Sequence, residues 1–401
     1  MVSSSLLIKA ISLTLFTRLS SSYFIYFALL GLVSTFLSVF LDGKGFSSIE
    51  IGEILAIITA TKIIAPSLWA IIADKTGQQL AIIRLGALLA LLSFTALFWM
   101  NDYWPITFSL ALFSLFWTAI LPQLEVLTLT SIRHSNKIYA RVRLWGSLGF
   151  IILAIISGQV ISHVNSDAFS FLGLIILIFL LLSTLTLKEV KGSISAKIAK
   201  GTQTKSSLNS KLLSTHFIVF FVSGILLQMS FGPFYGFFAL FLRDLAYPGF
   251  TVGLLVSLGV LAEVIAFIYM GTLFKRFTLK TLLLFSLLVT ALRWFLVPQV
   301  ADSIYLLALT QLIHAASFGI YHSASMRFLS LHFTKNQQSR AQGIYLGGVY
   351  GVGGAIGAYV TGLLWLDGTG ANSAFVFAGC SALMGAFIMI FFKSKAAYLA
   401  Y

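Results

Sequence analysis

The sequence has few charged residues and a single cysteine, and each shortage excludes a class of protein. Charged residues make up 9% of the 401-residue chain, against roughly 25% in ordinary soluble domains. That is too little charge to cover the surface of a soluble fold of this length. The one cysteine, Cys380, excludes a secreted scaffold held together by disulfides.

Motifs of energy-consuming or hydrolytic chemistry are also missing. Neither the phosphate-binding loop G-x-x-x-x-G-K-S/T nor the zinc-protease motif H-E-x-x-H occurs, and no group of histidines and cysteines has metal-ligand spacing. We therefore expect no enzyme activity, no cofactor and no metal. Any transport must then be driven by a gradient of an ion or a solute.

Apolar residues supply 59% of the chain and lie in runs long enough to cross a bilayer. A helix that crosses a hydrocarbon core of about 30 Å needs about 20 largely apolar residues. Runs this long and continuous form helices, because barrel strands would alternate over shorter segments. The sequence predicts an all-α membrane protein with twelve transmembrane helices, at approximately 20–41, 50–73, 80–100, 104–130, 142–162, 168–187, 214–242, 251–274, 281–298, 303–326, 341–366 and 372–392.

The distribution of charge predicts the orientation of these helices. With the N-terminus in the cytoplasm, only Lys44 and Arg243 among the basic residues fall on the outer side, and Lys62 and Arg293 fall within spans. The positive-inside rule therefore predicts cytoplasmic termini in an inner membrane. This orientation accounts for the net charge of +14 and leaves no support for nucleic-acid binding. The acidic residues on the outer side are Asp42, Glu50, Glu53, Asp102, Asp167, Asp244, Asp302 and Asp367.

The longest polar stretch, 188–211, is rich in lysine, glycine, serine and threonine. Such a composition is typical of a flexible linker, and it lies between the sixth and seventh predicted spans. It predicts an N-terminal six-helix bundle at 1–187, a cytoplasmic linker at 188–211 and a C-terminal six-helix bundle at 212–401. Two such halves are the arrangement of major facilitator transporters.

The loop after the second span contains a short motif that supports this interpretation. Asp74, Lys75 and Gly77 resemble the major facilitator signature, in which an acidic residue at a helix end is followed by a basic residue and a tight turn. The resemblance implies a gating role, in which Asp74 pairs with a neighbouring helix terminus and latches the cytoplasmic side. The alternative is a plain helix-terminating turn.

A more specific motif joins the fourth and fifth spans. Glu125 and Arg143 are 18 residues apart, and the segment 141–149 reads R-V-R-L-W-G-S-L-G. This region resembles lactose permease, and the arginine-rich variant is closer to the 3-phenylpropionate permease family. The similarity continues through the second half at Glu263, Arg293 and His314, so it covers nearly the whole chain. It implies the major facilitator fold and proton-coupled transport.

Four ionisable residues are predicted to lie deep in the bilayer: Lys62, Glu263, Arg293 and His314. Lys62, for example, is 12 residues from both Glu50 and Asp74, which is about 18 Å of helix from either end. A charge at that depth costs at least about 2.5–3.5 kcal/mol, so such groups mark substrate or ion pathways. The alternatives are structural ion pairs, Glu263 with Arg293 and Glu125 with Arg143.

The predicted proton-coupling residues are Glu263, His314 and Glu125, of which His314 resembles the histidine of the lactose permease proton site. Lactose permease has a glutamate three residues after the histidine of its proton site, whereas this chain has Ser317 there. Glu263 is therefore the better proton carrier, since a carboxyl buried away from water takes up a proton readily. The predicted substrate-binding residues are Lys62, Arg293, Arg143, Gln228, Tyr235, Tyr26 and Trp145.

These patterns favour a proton-coupled symporter that imports a small organic solute, most similar to the 3-phenylpropionate permeases. The expected partners are an aromatic or other organic acid, protons and the lipid bilayer, and the expected state is a monomer. One alternative is a sugar or nucleoside symporter. A drug/proton antiporter is disfavoured because the fifth span lacks the proline typical of that group, and a non-transporting scaffold or receptor would not bury charges so deeply.

Overall fold

The computed structural model describes residues 13–188 and 208–392, so most of the predicted linker 188–211 lies outside the described residues. Within those ranges, twelve helices are long and apolar enough to cross a membrane. The predicted number of spans and the all-α membrane fold are therefore confirmed. The helices are α1 (Leu13–Gly43), α2 (Ser48–Thr76), α3 (Gln79–Phe98), α4 (Tyr103–Ser131), α5 (Lys137–His163), α6 (Ala168–Thr186), α7 (Thr215–Asp244), α8 (Gly249–Arg276), α9 (Leu279–Gln299), α10 (Ile304–His332), α11 (Lys335–Gly368) and α12 (Ala371–Ile390).

Capping residues in the sequence fix the starts of two helices. Ser47 and Glu50 form a capping box at α2, in which the Glu50 carboxylate accepts a hydrogen bond of 2.8 Å from the Ser47 backbone N–H. Thr334 and Gln337 form a second capping box at α11. The polar residues that follow this cap extend α11 towards the N-terminus of its apolar run. The helix therefore begins at Lys335, before its predicted start at residue 341.

Helices α1–α6 pack into one bundle and α7–α12 into a second, and the two bundles meet along α2 with α11 and α5 with α8. Glycine allows the closest approaches between them. A Cβ on Gly158 of α5 would lie 2.0 Å from the carbonyl oxygen of Gly249 in α8, and a Cβ on Gly52 of α2 would lie 2.7 Å from the Cα of Gly362 in α11. Side chains at these positions would force the bundles apart.

Polar contacts join the bundles at the predicted outer face, where α1 ends and α2 begins. The Asp367 carboxylate accepts hydrogen bonds from the backbone N–H of Ser48 at 3.0 Å and from its hydroxyl at 2.7 Å. In return, the Asp367 N–H donates to the Ser48 hydroxyl at 2.9 Å. Arg243 of α7 forms an ion pair with Asp42 of α1. The predicted outer face is therefore closed.

The same helix pairs separate towards the predicted cytoplasmic face. A Cβ on Gly347 of α11 would lie 3.5 Å from Ile63 of α2, whereas one turn further a Cβ on Gly343 would meet nothing within 4 Å. Between α5 and α8, the Ser257 hydroxyl still reaches the Ile151 carbonyl at 3.3 Å. From the separation of α2 and α11 at Gly343 we infer a central gap between the bundles that opens at this face. Beyond the Ser257 contact, four apolar side chains of α5 and α8 are exposed. The four are Leu144, Leu148, Leu261 and Ile265.

Three segments of π-helix interrupt the C-terminal bundle: Pro233–Phe237 in α7, Ala315–Ile320 in α10 and Leu346–Gly353 in α11. In the described part of the N-terminal bundle, 13–188, the spans are free of π-helix. Segments of this kind widen a turn and occur often at functional sites.

Candidate functional site

Arg293 is the centre of a buried polar cluster in the C-terminal bundle. Its side chain is 0% exposed, and Nη2 donates a hydrogen bond of 2.7 Å to the amide oxygen of Gln311. Nη1 lies 3.1 Å from Nδ1 of His314. The guanidinium carbon also lies 4.5 Å and 4.4 Å from the ring centroids of Phe234 and Trp294, within the range of cation–π contacts. Arg293 is therefore enclosed by partners.

The contact with Arg293 fixes which nitrogen of His314 carries the proton. A guanidinium only donates hydrogen bonds, so Nδ1 of His314 must accept, and the N–H of the neutral ring is then at Nε2. Nε2 lies 3.9 Å from Oε2 of Glu263 in α8. Glu263 keeps 19% of its side chain exposed, so it is the member of this chain of contacts that solvent in the gap can reach.

The alternative ion pair between Glu263 and Arg293 is not formed. His314 lies between the two charges and contacts both. Aromatic rings complete the enclosure: Tyr235 of α7 lies 6.4 Å from His314 between ring centroids, and its side chain is 42% exposed. The structure thus brings four of the predicted site residues into one cluster at the gap.

The N-terminal bundle presents a second cluster, built around Arg143. The guanidinium carbon lies 3.9 Å from the ring centroid of Phe27, and Tyr26 packs edge-on against the same ring at 5.3 Å. Glu125 accepts a hydrogen bond of 3.2 Å from the Tyr139 hydroxyl. Arg143 is half-buried.

Arg143 is near enough to interact electrostatically with two carboxylates, Glu125 in its own bundle and Glu263 in the opposite one. Neither carboxylate forms an ion pair with it within 4.0 Å in the described residues. The alternative of a structural Glu125–Arg143 pair is therefore not formed either. Arg143 is bound to neither carboxylate.

Lys62 is a second cation without a partner. It lies midway along α2 and is exposed, and it makes no hydrogen bond or ion pair with the described residues. Its neighbour Ile63 packs against Gly347 and Gly351 of α11, so Lys62 lies beside the junction of the two bundles. Trp145 of α5, another predicted substrate-binding residue, is 42% exposed.

The remaining predicted residues lie elsewhere. Gln228 is buried between α7, α10 and α11. Asp74 and Lys75 lie at the predicted cytoplasmic end of α2, exposed and without polar contacts in the described ranges, while Gly77 ends the helix with a φ of 67°. At that end the two bundles are separated, so the latch is not closed here and a gating role stays a prediction.

Sequence reasoning assigned no role to three residues that contribute to the site: Gln311, Trp294 and Trp117. Gln311 precedes His314 by one helical turn, a spacing that places both on one face. Trp117 stacks on Phe113 with ring centroids 5.4 Å apart and lies 5.3 Å from Tyr26. Trp117 precedes Glu125 by eight residues, about two turns of α4, so the sequence already placed the two residues on one face of the helix.

Comparisons with known proteins agree with the fold. Residues 16–377 match the model of the MFS_1 like family. The "Probable 3-phenylpropionic acid transporter" of Escherichia coli (strain K12) is 27% identical over 351 residues, which cover 86% of this chain and 90% of that protein. The "Maltose permease" of Geobacillus stearothermophilus is 25% identical over 384 residues, 93% of each chain.

A nucleoside transporter appears among both the relatives and the solved structures. The "Putative nucleoside transporter YegT" of Escherichia coli (strain K12) is 22% identical and covers 86% of this chain and 84% of its own. The crystal structure of nucleoside transporter NupG superposes with a TM-score of 0.81 at 19% identity, and covers 95% of this chain and 100% of that chain. At that identity the likeness shows the fold alone.

Proposed function

The chain belongs to the MFS_1 like family and is a multi-pass membrane transporter, and we propose that it is a proton-coupled symporter that imports a small organic acid. The proposed substrate is an aromatic acid such as a phenylpropionate. The proposal includes an inner-membrane location with cytoplasmic termini and a monomeric state. The observation that carries it is the chain of contacts from Glu263 through His314 to Arg293, with Arg143 of the opposite bundle near enough to Glu263 to attract it.

Competition for Arg143 couples the proton to the substrate. When Glu263 is protonated, it no longer attracts Arg143 from the opposite bundle, and Arg143 and Lys62 are available to a substrate carboxylate. When Glu263 releases its proton, its charge attracts Arg143 and displaces the substrate. The aromatic side chains Tyr26 and Trp145 hold the apolar part of the ligand.

Arg293 has a positioning role in this scheme. Because it is enclosed, it does not reach the gap in this conformation. It holds the His314 ring so that the Nε2–H faces Glu263, whose Oε2 lies 3.9 Å away. Transport then follows from rocking of the two bundles between states open at opposite faces. With the outer face closed and the other face open, this conformation is the one from which cargo leaves to the cytoplasm.

The test replaces Glu263 with glutamine in proteoliposomes. Glu263→Gln should abolish accumulation driven by an imposed pH gradient, because the amide neither takes up nor releases a proton, while counterflow exchange of substrate survives. Glu50→Gln is the matched control, because Glu50 caps α2 at the predicted outer face. Substrate accumulation by this variant should be unchanged. Loss of both activities in Glu263→Gln would give Glu263 a structural role and overturn the proposal.

A sugar or nucleoside is the second candidate substrate. The relatives named as a maltose permease and a nucleoside transporter, and the position of Arg143 beside Glu125, favour it. A ligand that binds the folded protein stabilises it by RT ln(1 + [L]/Kd), about 2.7 kcal/mol at 100 times Kd. Thermal unfolding of the purified protein separates the candidates. If the substrate is an organic acid, arene acids should raise the Tm; if it is a sugar or nucleoside, glycosides or nucleosides should raise it.

A further inference from the structure

Helix α8 begins at the contact between the bundles, and its first backbone N–H is paired from the opposite bundle. The N–H of Gly249, the first residue of α8, donates a hydrogen bond of 2.8 Å to the hydroxyl of Ser162 in α5. Pro248, which precedes it, supplies no side-chain cap. The first N–H groups of a helix have no partner within the helix, so Ser162 acts as a helix cap across the interface between the bundles.

Helix α2 has a cap of the same kind. Its first residue, Ser48, donates a backbone hydrogen bond of 3.0 Å to the Asp367 carboxylate at the end of α11. The capping box of α2 pairs the N–H groups of Ser47 and Glu50 and leaves the N–H of Ser48 to the opposite bundle. Asp367 therefore completes the N-terminus of α2 only while the two bundles touch.

The two junctions are built from the same parts in the same order. Four residues after each capped residue comes a glycine, Gly52 in α2 and Gly253 in α8. A Cβ on Gly52 would lie 3.0 Å from the carbonyl oxygen of Ala358 in α11, and one on Gly253 would overlap that of Ala154 in α5. These alanines precede the capping residues by nine and eight positions. In each junction, the fifth helix of one bundle caps the second helix of the other.

The ion pair at the same face is the weaker connection. The side chains of Arg243 and Asp42 are 43% and 38% exposed, and ion pairs at such exposure contribute little because water and salt screen them. Ser48 is 5% exposed, so water has little access to the donor end of its hydrogen bonds. The partial positive charge at a helix N-terminus also favours the Asp367 carboxylate over a neutral acceptor such as Ser162. The caps, and Asp367 above all, therefore supply most of the polar attraction at this face.

We propose that Asp367 and Ser162 are cross-bundle helix caps that hold the predicted outer face closed and so set the balance between the two end states of the transporter. When the outer face opens, both helix N-termini lose their caps. The inference depends on the movement of the bundles alone and is independent of the cargo and of proton coupling.

The experiment measures how often the outer face opens. Leu55→Cys places a thiol in α2 one turn deeper than Gly52, next to Gly236 of α7, and Cys380→Ala removes the exposed native thiol. A membrane-impermeant maleimide added outside right-side-out vesicles reaches the new thiol only when the bundles part at the outer face. Slow labelling is expected for this parent. Labelling at the rate of an exposed thiol would overturn the closure of the outer face and the caps with it.

Asp367→Gly deletes the stronger cap and should raise the labelling rate about tenfold. Glycine adopts the left-handed conformation of this position without strain, so the turn itself is kept. Leu366→Gly is the matched control, because Leu366 has nearly the same φ, 48° against 49°, and its side chain is 61% exposed. This control should label at the parent rate. Equal acceleration in both variants would mean that a looser turn opens the face, and would overturn the cap.

Ser162→Ala deletes the second cap and should raise the rate about fivefold. The two factors should multiply in the double variant, because the junctions lie on separate helix pairs. Ser93→Ala is the control and should label at the parent rate, since the Ser93 hydroxyl donates to the Leu89 carbonyl within α3. Arg243→Gln should raise the rate less than about threefold. Unchanged labelling in Asp367→Gly and Ser162→Ala, or a larger effect of Arg243→Gln than of either, overturns the proposal.

Discussion

In the N-terminal bundle the two cations nearest the gap, Lys62 and Arg143, make no hydrogen bond or ion pair with the described residues, whereas in the C-terminal bundle Arg293 is enclosed on every side. The difference extends to the backbone, since all the π-helical segments found in the described ranges interrupt the C-terminal helices. Lys62 and Arg143 are free to bind a cargo, whereas Arg293 holds Gln311 and His314 in position through its two terminal nitrogens. We infer that the N-terminal bundle binds the substrate carboxylate. The C-terminal bundle takes up and releases the proton and changes conformation.

The largest expected effect comes from replacing Arg293 or Arg143 with alanine in two separate variants. Arg293→Ala leaves Gln311 and His314 without their donor and opens a cavity, so it should destabilise the protein by about 2–5 kcal/mol. Arg143→Ala should cost less than about 1 kcal/mol of stability, because no bound partner is lost, yet it should abolish uptake. Thermal unfolding in detergent and uptake in proteoliposomes measure the two effects.

Arg293→Lys sharpens this contrast. A lysine keeps the charge but lacks the planar fork that reaches Gln311 and His314 together, so both stability and pH-driven accumulation should fall. If Arg293→Ala unfolds at the same temperature as Arg143→Ala, the enclosed arginine is not structural, and the distinction between the bundles is wrong.

The next effect is on substrate affinity at Lys62. Lys62→Gln removes a cation that has no partner in the described protein, so the Tm should stay the same or rise. Charge-assisted hydrogen bonds contribute about 1.5–3 kcal/mol, so the half-saturation concentration for an organic acid should rise by about one to two orders of magnitude. Lys44→Gln is the control, since Lys44 pairs with Asp167 at the predicted outer face and its loss should leave the affinity unaltered. An unchanged affinity in Lys62→Gln would remove Lys62 from the site.

The spans, the family and most of the site's ionisable residues were predictable from the sequence. Long apolar runs and centrally placed charges are local signals, so Glu263, Arg293 and His314 were identified without knowledge of their contacts. The π-helical segments were not predicted, because a widened turn depends on packing against neighbouring helices; Pro233, which lacks a backbone donor, was the one local hint. Enclosure of Arg293 by Phe234 and Trp294 likewise depends on tertiary packing.

Which face of the protein is closed also lay beyond the sequence. Ser48 and Asp367 are 319 positions apart, and nothing in either segment indicates that they meet. Leu366 and Asp367 both adopt left-handed backbone conformations, with φ of 48° and 49°, which residues other than glycine rarely do. The contact with Ser48 from the opposite bundle holds this strained turn, so its geometry belongs to the closed outer face and not to the local sequence.

The smallest expected effect is at Tyr139, the hydrogen-bond partner of Glu125. Tyr139→Phe removes a bond to a carboxylate that Arg143 also attracts. Without that bond, Glu125 is drawn towards Arg143 and competes with the substrate carboxylate, so the half-saturation concentration should rise while the maximal rate is kept. Loss of one hydrogen bond, about 0.5–1.5 kcal/mol, sets the rise at about twofold to tenfold. Tyr305→Phe, at a side chain that is 82% exposed, is the control. A lower maximal rate at unchanged affinity would mean that Glu125 acts on the movement of the bundles, and that the N-terminal bundle does more than bind the anion.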